Sequence, residues 1–281
     1  MQADQGIIIN LACTGMTPTR ESSRHVPLSH DEIVDNVARA MESGVQMFHL
    51  HARDDQEQHT GDPESYGRII ESIRKLPGGR LAVLTVTTSG RSTPDFASRA
   101  RVLDLDGDMK PDMASLTLSS LNFLSGASVN SPDTVRQLAV RMKERGIKPE
   151  LEIFDLGMAN YLKVLRREGL VDGTAYVNLL LGNIAGAQAT PLEFAALRAA
   201  IDQDVLVCVA GIGRHQLNSN LLGLLFADGA RIGLEDNLWY DTERTSLATN
   251  DQLVARLLRI ANELGRKLMP PEALRKVLGL N

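Results

Sequence analysis

Aromatic residues are scarce in this chain. One Trp, four Tyr and six Phe make up 4% of its 281 residues. Basic charge is not in excess either: the formal net charge is -5, and no basic block stands out. A nucleic-acid reader shows a basic footprint and often stacking aromatics, so no nucleic-acid partner is expected. Cysteine is limited to Cys13 and Cys208, far apart in the chain. That excludes a disulfide scaffold or a four-cysteine zinc module, and makes a reducing compartment the default. Long apolar runs are missing. Leu179–Leu181 and Leu221–Phe226 fall far short of the roughly 20 residues that a membrane span requires. The start, MQADQGIIINLACTG, has no basic region ahead of its short apolar run, unlike an export signal. A cytoplasmic protein without a membrane partner is the expectation. No Pro/Ser-rich spacer or shift in composition divides the sequence, so residues 1–281 are read as a single domain.

What is present is ordinary globular material, 43% hydrophobic and 23% charged, arranged with a repeat. Eight short apolar runs recur: Gly6–Ala12, Gln46–His51, Leu81–Thr87, Met113–Leu116, Glu150–Phe154, Ala175–Leu181, Val205–Val209 and Arg231–Leu234. Helix-period segments lie between most of them: His30–Ser43, Pro63–Lys75, Pro132–Arg145, Met158–Arg167, Pro191–Ile201 and His215–Ala227. Asp251–Leu264 follows the eighth run, a weaker helix fits Asp95–Val102, and Pro270–Leu280 reads as a terminal helix suited to subunit contacts. Ser29 and Glu32 form a capping-box pattern. Pro132 and Pro191 suit first-turn positions. Gly44, Gly146 and Gly229 suit C′ positions just past helix ends. Alternating strand and helix implies parallel strands joined by right-handed crossovers, and eight units predict an α/β fold closed as a (β/α)8 TIM barrel. A doubly wound open sheet is the competitor.

Barrels carry their chemistry at the C-terminal strand ends. The second run ends in FHLHARD, with His49 and His51 two apart and therefore on one strand face. That spacing suits two ligands of one divalent ion, although two hydrogen-bonded side chains at a strand end would look the same. Arg53 and Asp54 are either supports for this pair or a plain salt bridge. The eighth run ends in RIGLEDNLWY, and in a closed barrel strand eight lies beside strand one and near strand two. Glu235 can then complete a two-His, one-carboxylate set, while Arg231 and Asp236 form either an oriented base or a structural ion pair. The neighbouring cation is expected to lower the Asp236 pKa.

Weaker signals sit at other strand ends. Thr87, Thr88, Ser89 and Gly90 offer hydroxyls and backbone amides that can hold a carboxylate or oxyanion. Ser115 and Thr117 share a strand face, with Asn122 in the loop after it. Gly211-Ile212-Gly213-Arg214 leads into a helix, as anion-binding turns do, but lacks the full dinucleotide pattern. His25, His30 and His59 read as solvated surface residues, and His215 as a surface residue with some chance of ligand contact. Neither cysteine has an adjacent base, so neither reads as a nucleophile.

Taken together these stretches are specific. Thr14-Gly15, HLHARDD at His49–Asp55, PDMASL at Pro111–Leu116, AGIGR at Ala210–Arg214, GLEDNLWY at Gly233–Tyr240 and QLVARLLRIANELGR at Gln252–Arg266 resemble the β-keto acid cleavage enzymes nearly end to end. The resemblance implies a (β/α)8 barrel, a divalent metal (usually zinc), a homo-oligomer (commonly a tetramer) and reaction of a β-keto acid with acetyl-CoA. It places the metal ligands on His49, His51 and Glu235, an arginine–aspartate dyad on Arg231 and Asp236, and hydroxyl positions on Thr87 and Ser115. Substrate contacts are expected from Thr17, Thr88, Ser89, Gly90, Arg91, Gly211 and Arg214. Where the aminohexanoate-cleaving members carry a glutamate for a substrate ammonium, this chain has the neutral Thr17, and an ammonium there would be left unpaired. An aminated substrate is therefore not expected. Arg91, with Arg20 and Arg24 as lesser candidates, would suit the second carboxylate of a dicarboxylic β-keto acid such as 3-oxoadipate. The competing readings are a CoA-independent metal-dependent barrel aldolase or lyase, and a barrel that binds without catalysis.

Overall fold

A computed structural model describes residues 6–91 and 94–280. Eight parallel strands close into a (β/α)8 TIM barrel: β1 (Ile8–Ala12), β2 (Met47–Leu50), β3 (Val83–Val86), β4 (Met113–Thr117), β7 (Lys148–Ile153), β8 (Tyr176–Leu181), β9 (Leu206–Gly211) and β10 (Gly229–Ile232). The ring closes where β10 pairs with β1, Arg231 opposite Asn10, which brings the eighth strand beside the first. A short antiparallel hairpin, β5 (Leu121–Phe123) and β6 (Gly126–Ser128), follows β4 above the barrel.

The helices lie where the periodicity places them. α1 (His30–Glu42) follows β1, α2 (Pro63–Lys75) follows β2, and α3 (Phe96–Ala100), after β3, is a single short piece continued by 3-10 turns. α4 (Pro132–Glu144), α5 (Leu156–Arg167), α6 (Pro191–Ala200), α7 (Gln216–Phe226) and α8 (Asn250–Glu263) complete the outer ring, and α9 (Pro271–Leu278) follows them outside that ring. The Ser29–Glu32 capping box forms, and Pro132 and Pro191 occupy first-turn positions. Gly44 and Gly146 follow their helices with positive φ. Gly229 is a correction. It opens β10 rather than closing α7, and an added Cβ would meet the Ile8 carbonyl oxygen at 1.9 Å, so the glycine serves close strand approach. Among the described residues no helix is long and apolar enough to cross a membrane.

Strands buried on both faces read as continuous apolar runs, and the two faces divide the core. Outward residues such as Ile9, Leu11, Phe48, Leu50, Leu84 and Val86 pack under the helices. Inward residues Ile8, Met47, Val83, Met113, Leu206 and Cys208 form an apolar floor, on which Met269, Leu274 and Leu278 of the tail sit. The terminal helix therefore plugs the N-terminal end of this chain's own barrel with its apolar face, instead of holding that face out for a subunit. Above the floor the interior turns polar, with Asn10, Thr85, Glu150 and Asn178 all fully buried. That polar column leads to the C-terminal mouth.

Candidate active site

The sharp turn after β10 sets the site. Gly233 has φ 144, and a Cβ there would meet the Ala12 carbonyl oxygen at 2.1 Å, so only glycine lets the chain fold over the mouth. The turn delivers Glu235 and Asp236 above Arg231. Gly15, at φ 72, leaves space for Glu235, whose Cγ would lie 2.7 Å from an added Cβ. Arg53 fixes that loop by donating to the carbonyls of Gly15 and Pro18, at 2.6 and 2.8 Å. It makes no pair with Asp54, which accepts from the Gln56 and Gln58 amides instead.

His49 and His51 face one another, Nε2 to Nε2, at 3.2 Å. Glu235 completes the group, with Oε2 at 3.4 Å from His51 Nε2 and Oε1 at 3.8 Å from His49 Nε2. The donor set fits a divalent ion. Two nitrogens bound tetrahedrally to one zinc lie about 3.3 Å apart, matching the histidine spacing. Glu235 Oε2 is buried without a hydrogen-bond partner among the described residues, as an atom awaiting a cation would be. Burial pushes the His51 pKa down, which favours the neutral ring that a metal ligand needs. For His49 burial works the same way, but the Glu150 and Glu235 carboxylates outweigh it and raise the pKa to about 9. Burial also opposes the Glu235 charge, yet His51, Arg231 and His49 hold that carboxyl well below its usual range.

Beside this trio lies a buried ion pair. Arg231 donates to Asp236 from Nε at 3.0 Å and from Nη2 at 3.2 Å, and Nη2 also reaches Glu235 Oε1 at 2.7 Å. The Asp236 carboxyl sits above its ordinary value. Burial is the largest influence, opposed by Arg231 and assisted by Glu235. Arg231 lowers it, as expected of a neighbouring cation, but desolvation outweighs that pull.

One cavity at the mouth joins these groups. Its lining includes His49, His51, Arg231, Glu235 and Asp236, together with Thr17, Thr87, Ser89 and Arg91 from the expected set. Ser115, Thr88, Gly90, Gly211 and Arg214 are not part of that lining. Ser115 works structurally: its Oγ accepts from the Thr88 amide at 3.1 Å and its carbonyl from Thr88 Oγ1 at 2.5 Å. In the turn after β3 the Thr88 and Ser89 amides are thus both engaged, the latter donating to Thr87 Oγ1. Gly90 packs against the Arg99 guanidinium. In the turn after β9 the amides of Ile212, Gly213 and His215 donate to Leu181, Asp236 and Ile212, so none of these three is free for an anion. Arg214 is exposed, and the His215 ring lies over Gly182. His59 is a second correction: it is half-buried, its ring 5.5 Å from that of His51, with a pKa pressed down to about 3 by burial. Arg20 is held by Glu32 and Glu57, and Arg24 is exposed.

Several residues of the site went unnoticed in sequence. Glu152 accepts from Arg231 Nη1 at 3.4 Å and from Thr117 Oγ1 at 2.6 Å, and burial pushes its carboxyl up. Glu150 accepts from His49 Nδ1 at 2.5 Å. Both carboxylates sit two apart on β7, and charges at inward positions of a barrel strand are the signal that would have found them. Phe123 of the hairpin carries the Arg91 guanidinium on its ring face, 3.5 Å from the centroid. Arg91 Nη1 donates to Thr17 Oγ1 at 2.9 Å, while its Nε is buried and unbonded among the described residues.

Comparison with known proteins agrees with this picture. A family model described as beta-keto acid cleavage enzyme matches residues 6–280. Over 280 residues the chain is 34% identical to the 3-oxoadipate:acetyl-CoA acetyltransferase of Cupriavidus necator, covering 98% of this chain and 95% of that protein. It is 32% identical over 276 residues to a 3-keto-5-aminohexanoate cleavage enzyme of Fusobacterium nucleatum, covering 98% of each. Among solved structures, the binary complex of ObcA with oxaloacetate superposes with a TM-score of 0.77 at 18% identity, over 92% of this chain and 68% of that one, a likeness of fold.

Proposed function

The chain belongs to the β-keto acid cleavage enzyme family, and on that premise we propose that it reacts a β-keto acid with acetyl-CoA to give acetoacetate and a new acyl-CoA. The observation that carries the reading is the placement of the His49–His51–Glu235 trio beside the buried Arg231–Asp236 pair in one cavity. His49, His51 and Glu235 would hold a divalent ion, and zinc is our assignment from the donor set. When bound, such an ion supplies Lewis-acid polarisation of the β-keto carbonyl.

The rest follows from this chain's own side chains. Asp236 removes a C2 proton from the β-keto acid, and burial, which raises its carboxyl above the ordinary value, strengthens it as a base. Arg231 keeps that carboxylate oriented through two hydrogen bonds. The enolate attacks the acetyl carbonyl of acetyl-CoA and releases CoA thiolate. The thiolate attacks the original ketone, and C–C cleavage expels acetoacetate while the remaining acyl group stays on CoA. No protein nucleophile is needed, in keeping with Cys13, whose thiol burial raises to about 11. Thr87, on the cavity wall, offers its hydroxyl to the substrate.

For the substrate we propose a dicarboxylic β-keto acid. Arg91 faces the cavity with no carboxylate partner among the described residues, and Thr17 beside it is neutral. An ammonium there would meet a like charge. The Cupriavidus necator relative is named for 3-oxoadipate, a substrate of that class. We also read the chain as one domain with a short C-terminal helical extension, working in the cytoplasm and, as the family resemblance implies, as a homotetramer.

Proton exchange tests the assignment of the base. In D2O the zinc-loaded protein should exchange the C2 protons of its β-keto acid, without acetyl-CoA, faster than solvent alone. Asp236→Asn should slow that exchange by about 10²- to 10⁴-fold. Wild-type exchange in the variant would remove Asp236 from the role.

A further inference from the structure

Glu150 is a fully buried carboxylate at the centre of the barrel, and the reaction just described does not use it. Burying a carboxylate costs several kcal/mol unless its partners are well placed. Its partners here are specific. One oxygen lies 2.5 Å from His49 Nδ1, and the other accepts from Asn10 Nδ2 at 2.6 Å. Asn10 Nδ2 also donates to Tyr176 Oη at 3.2 Å, and Tyr176 donates to Asn178 Oδ1 at 3.0 Å.

The donors in this chain run one way. Asn178 Oδ1 only accepts, so the Tyr176 hydroxyl hydrogen points to it, and Tyr176 Oη is left to accept from Asn10. Asn10 then turns its amide nitrogen toward Glu150. With that oxygen occupied as an acceptor, the other takes the hydrogen of His49 Nδ1. Nδ1 thereby keeps its proton, and Nε2 is the nitrogen left facing His51 Nε2 and Glu235, the one that would bind an ion. His51 has no such support, since its own Nδ1 is buried without a hydrogen bond among the described residues.

We propose that Glu150, held by Asn10, is a positioning residue that fixes the tautomer and ring orientation of His49 for metal binding. This rests on the reading that His49, His51 and Glu235 hold a divalent ion. Glu150→Gln is the direct perturbation: glutamine accepts less strongly from Nδ1, and its NH2 opposes that of Asn10. Zinc affinity of the full-length protein would be measured by competition with a chromophoric chelator, beside thermal melts of the chelator-stripped proteins. Glu150→Gln should bind zinc about 10- to 100-fold more weakly, and imidazole nitrogen NMR should show His49 leaving the Nδ1–H form. Asn10→Ala should weaken zinc binding in the same direction, and it carries the test if Glu150→Gln does not fold. Zinc affinity within twofold of wild type in the folded variants, while His51→Ala weakens it, would overturn the role of Glu150 and leave the metal reading intact. Zinc binding indifferent to His51→Ala would overturn the metal reading and this proposal with it.

Discussion

Arg91→Gln separates binding of the substrate's far end from the chemistry. The arginine lies on the Phe123 ring, 3.5 Å from its centroid, and uses one nitrogen on Thr17. Its Nε has no hydrogen-bond partner among the described residues. A hydrogen bond to a charged group contributes about 1.5–3 kcal/mol, and each 1.36 kcal/mol is about tenfold in rate. Losing one such bond to a distal carboxylate should therefore lower kcat/KM for a dicarboxylic β-keto acid about 10- to 150-fold. A neutral β-keto acid of similar length makes no such bond, and its kcat/KM should change less than about threefold. The assay is acetoacetate release from acetyl-CoA with the two substrates in parallel. Equal losses on both would mean that Arg91 supports the cavity wall rather than reading charge. No loss on either would remove it from the substrate site altogether.

Two further predictions concern the body of the fold. Leu274 is fully buried against the barrel floor, so Leu274→Ala should cost about 2–5 kcal/mol in urea unfolding; a change within error would mean that the tail helix does not seal the barrel. Cys13 and Cys208 are buried with thiol pKa values raised by burial, so a water-soluble disulfide reagent should label neither in the native protein and both in denaturant. Rapid native labelling of either would contradict the packing.

Periodicity made the barrel legible because each unit repeats the same physics. An apolar run buried on both faces is followed by an amphipathic helix, and the Ser29–Glu32 box and proline positions mark where helices begin. The His49, His51, Glu235, Arg231 and Asp236 set was legible because all five fall at strand ends that barrel closure must bring together. The interior was not. Glu150 and Glu152 sit inside a run that reads as one apolar strand, and only the inward face of a closed barrel gives them meaning. The hairpin at Leu121–Ser128 was hidden because its strands are three residues long, too short to show alternation. Gly229 and His59 were misread for a related reason. Close strand approach and packing against another ring are tertiary facts that local context does not carry. The turns after β3 and β9 look like anion cradles, but the amides of Thr88, Ser89, Ile212, Gly213 and His215 already donate within the protein.

The central claim is that acetyl-CoA contributes its acetyl group to the product. The protein, loaded with zinc, would be given a dicarboxylic β-keto acid and acetyl-CoA carrying 13C at both acetyl carbons, and the products read by NMR and mass spectrometry. The account predicts acetoacetate labelled at C3 and C4, an unlabelled new acyl-CoA, and loss of both in His49→Ala. Unlabelled products, or cleavage that proceeds without acetyl-CoA, would contradict it and point to a barrel lyase of another kind.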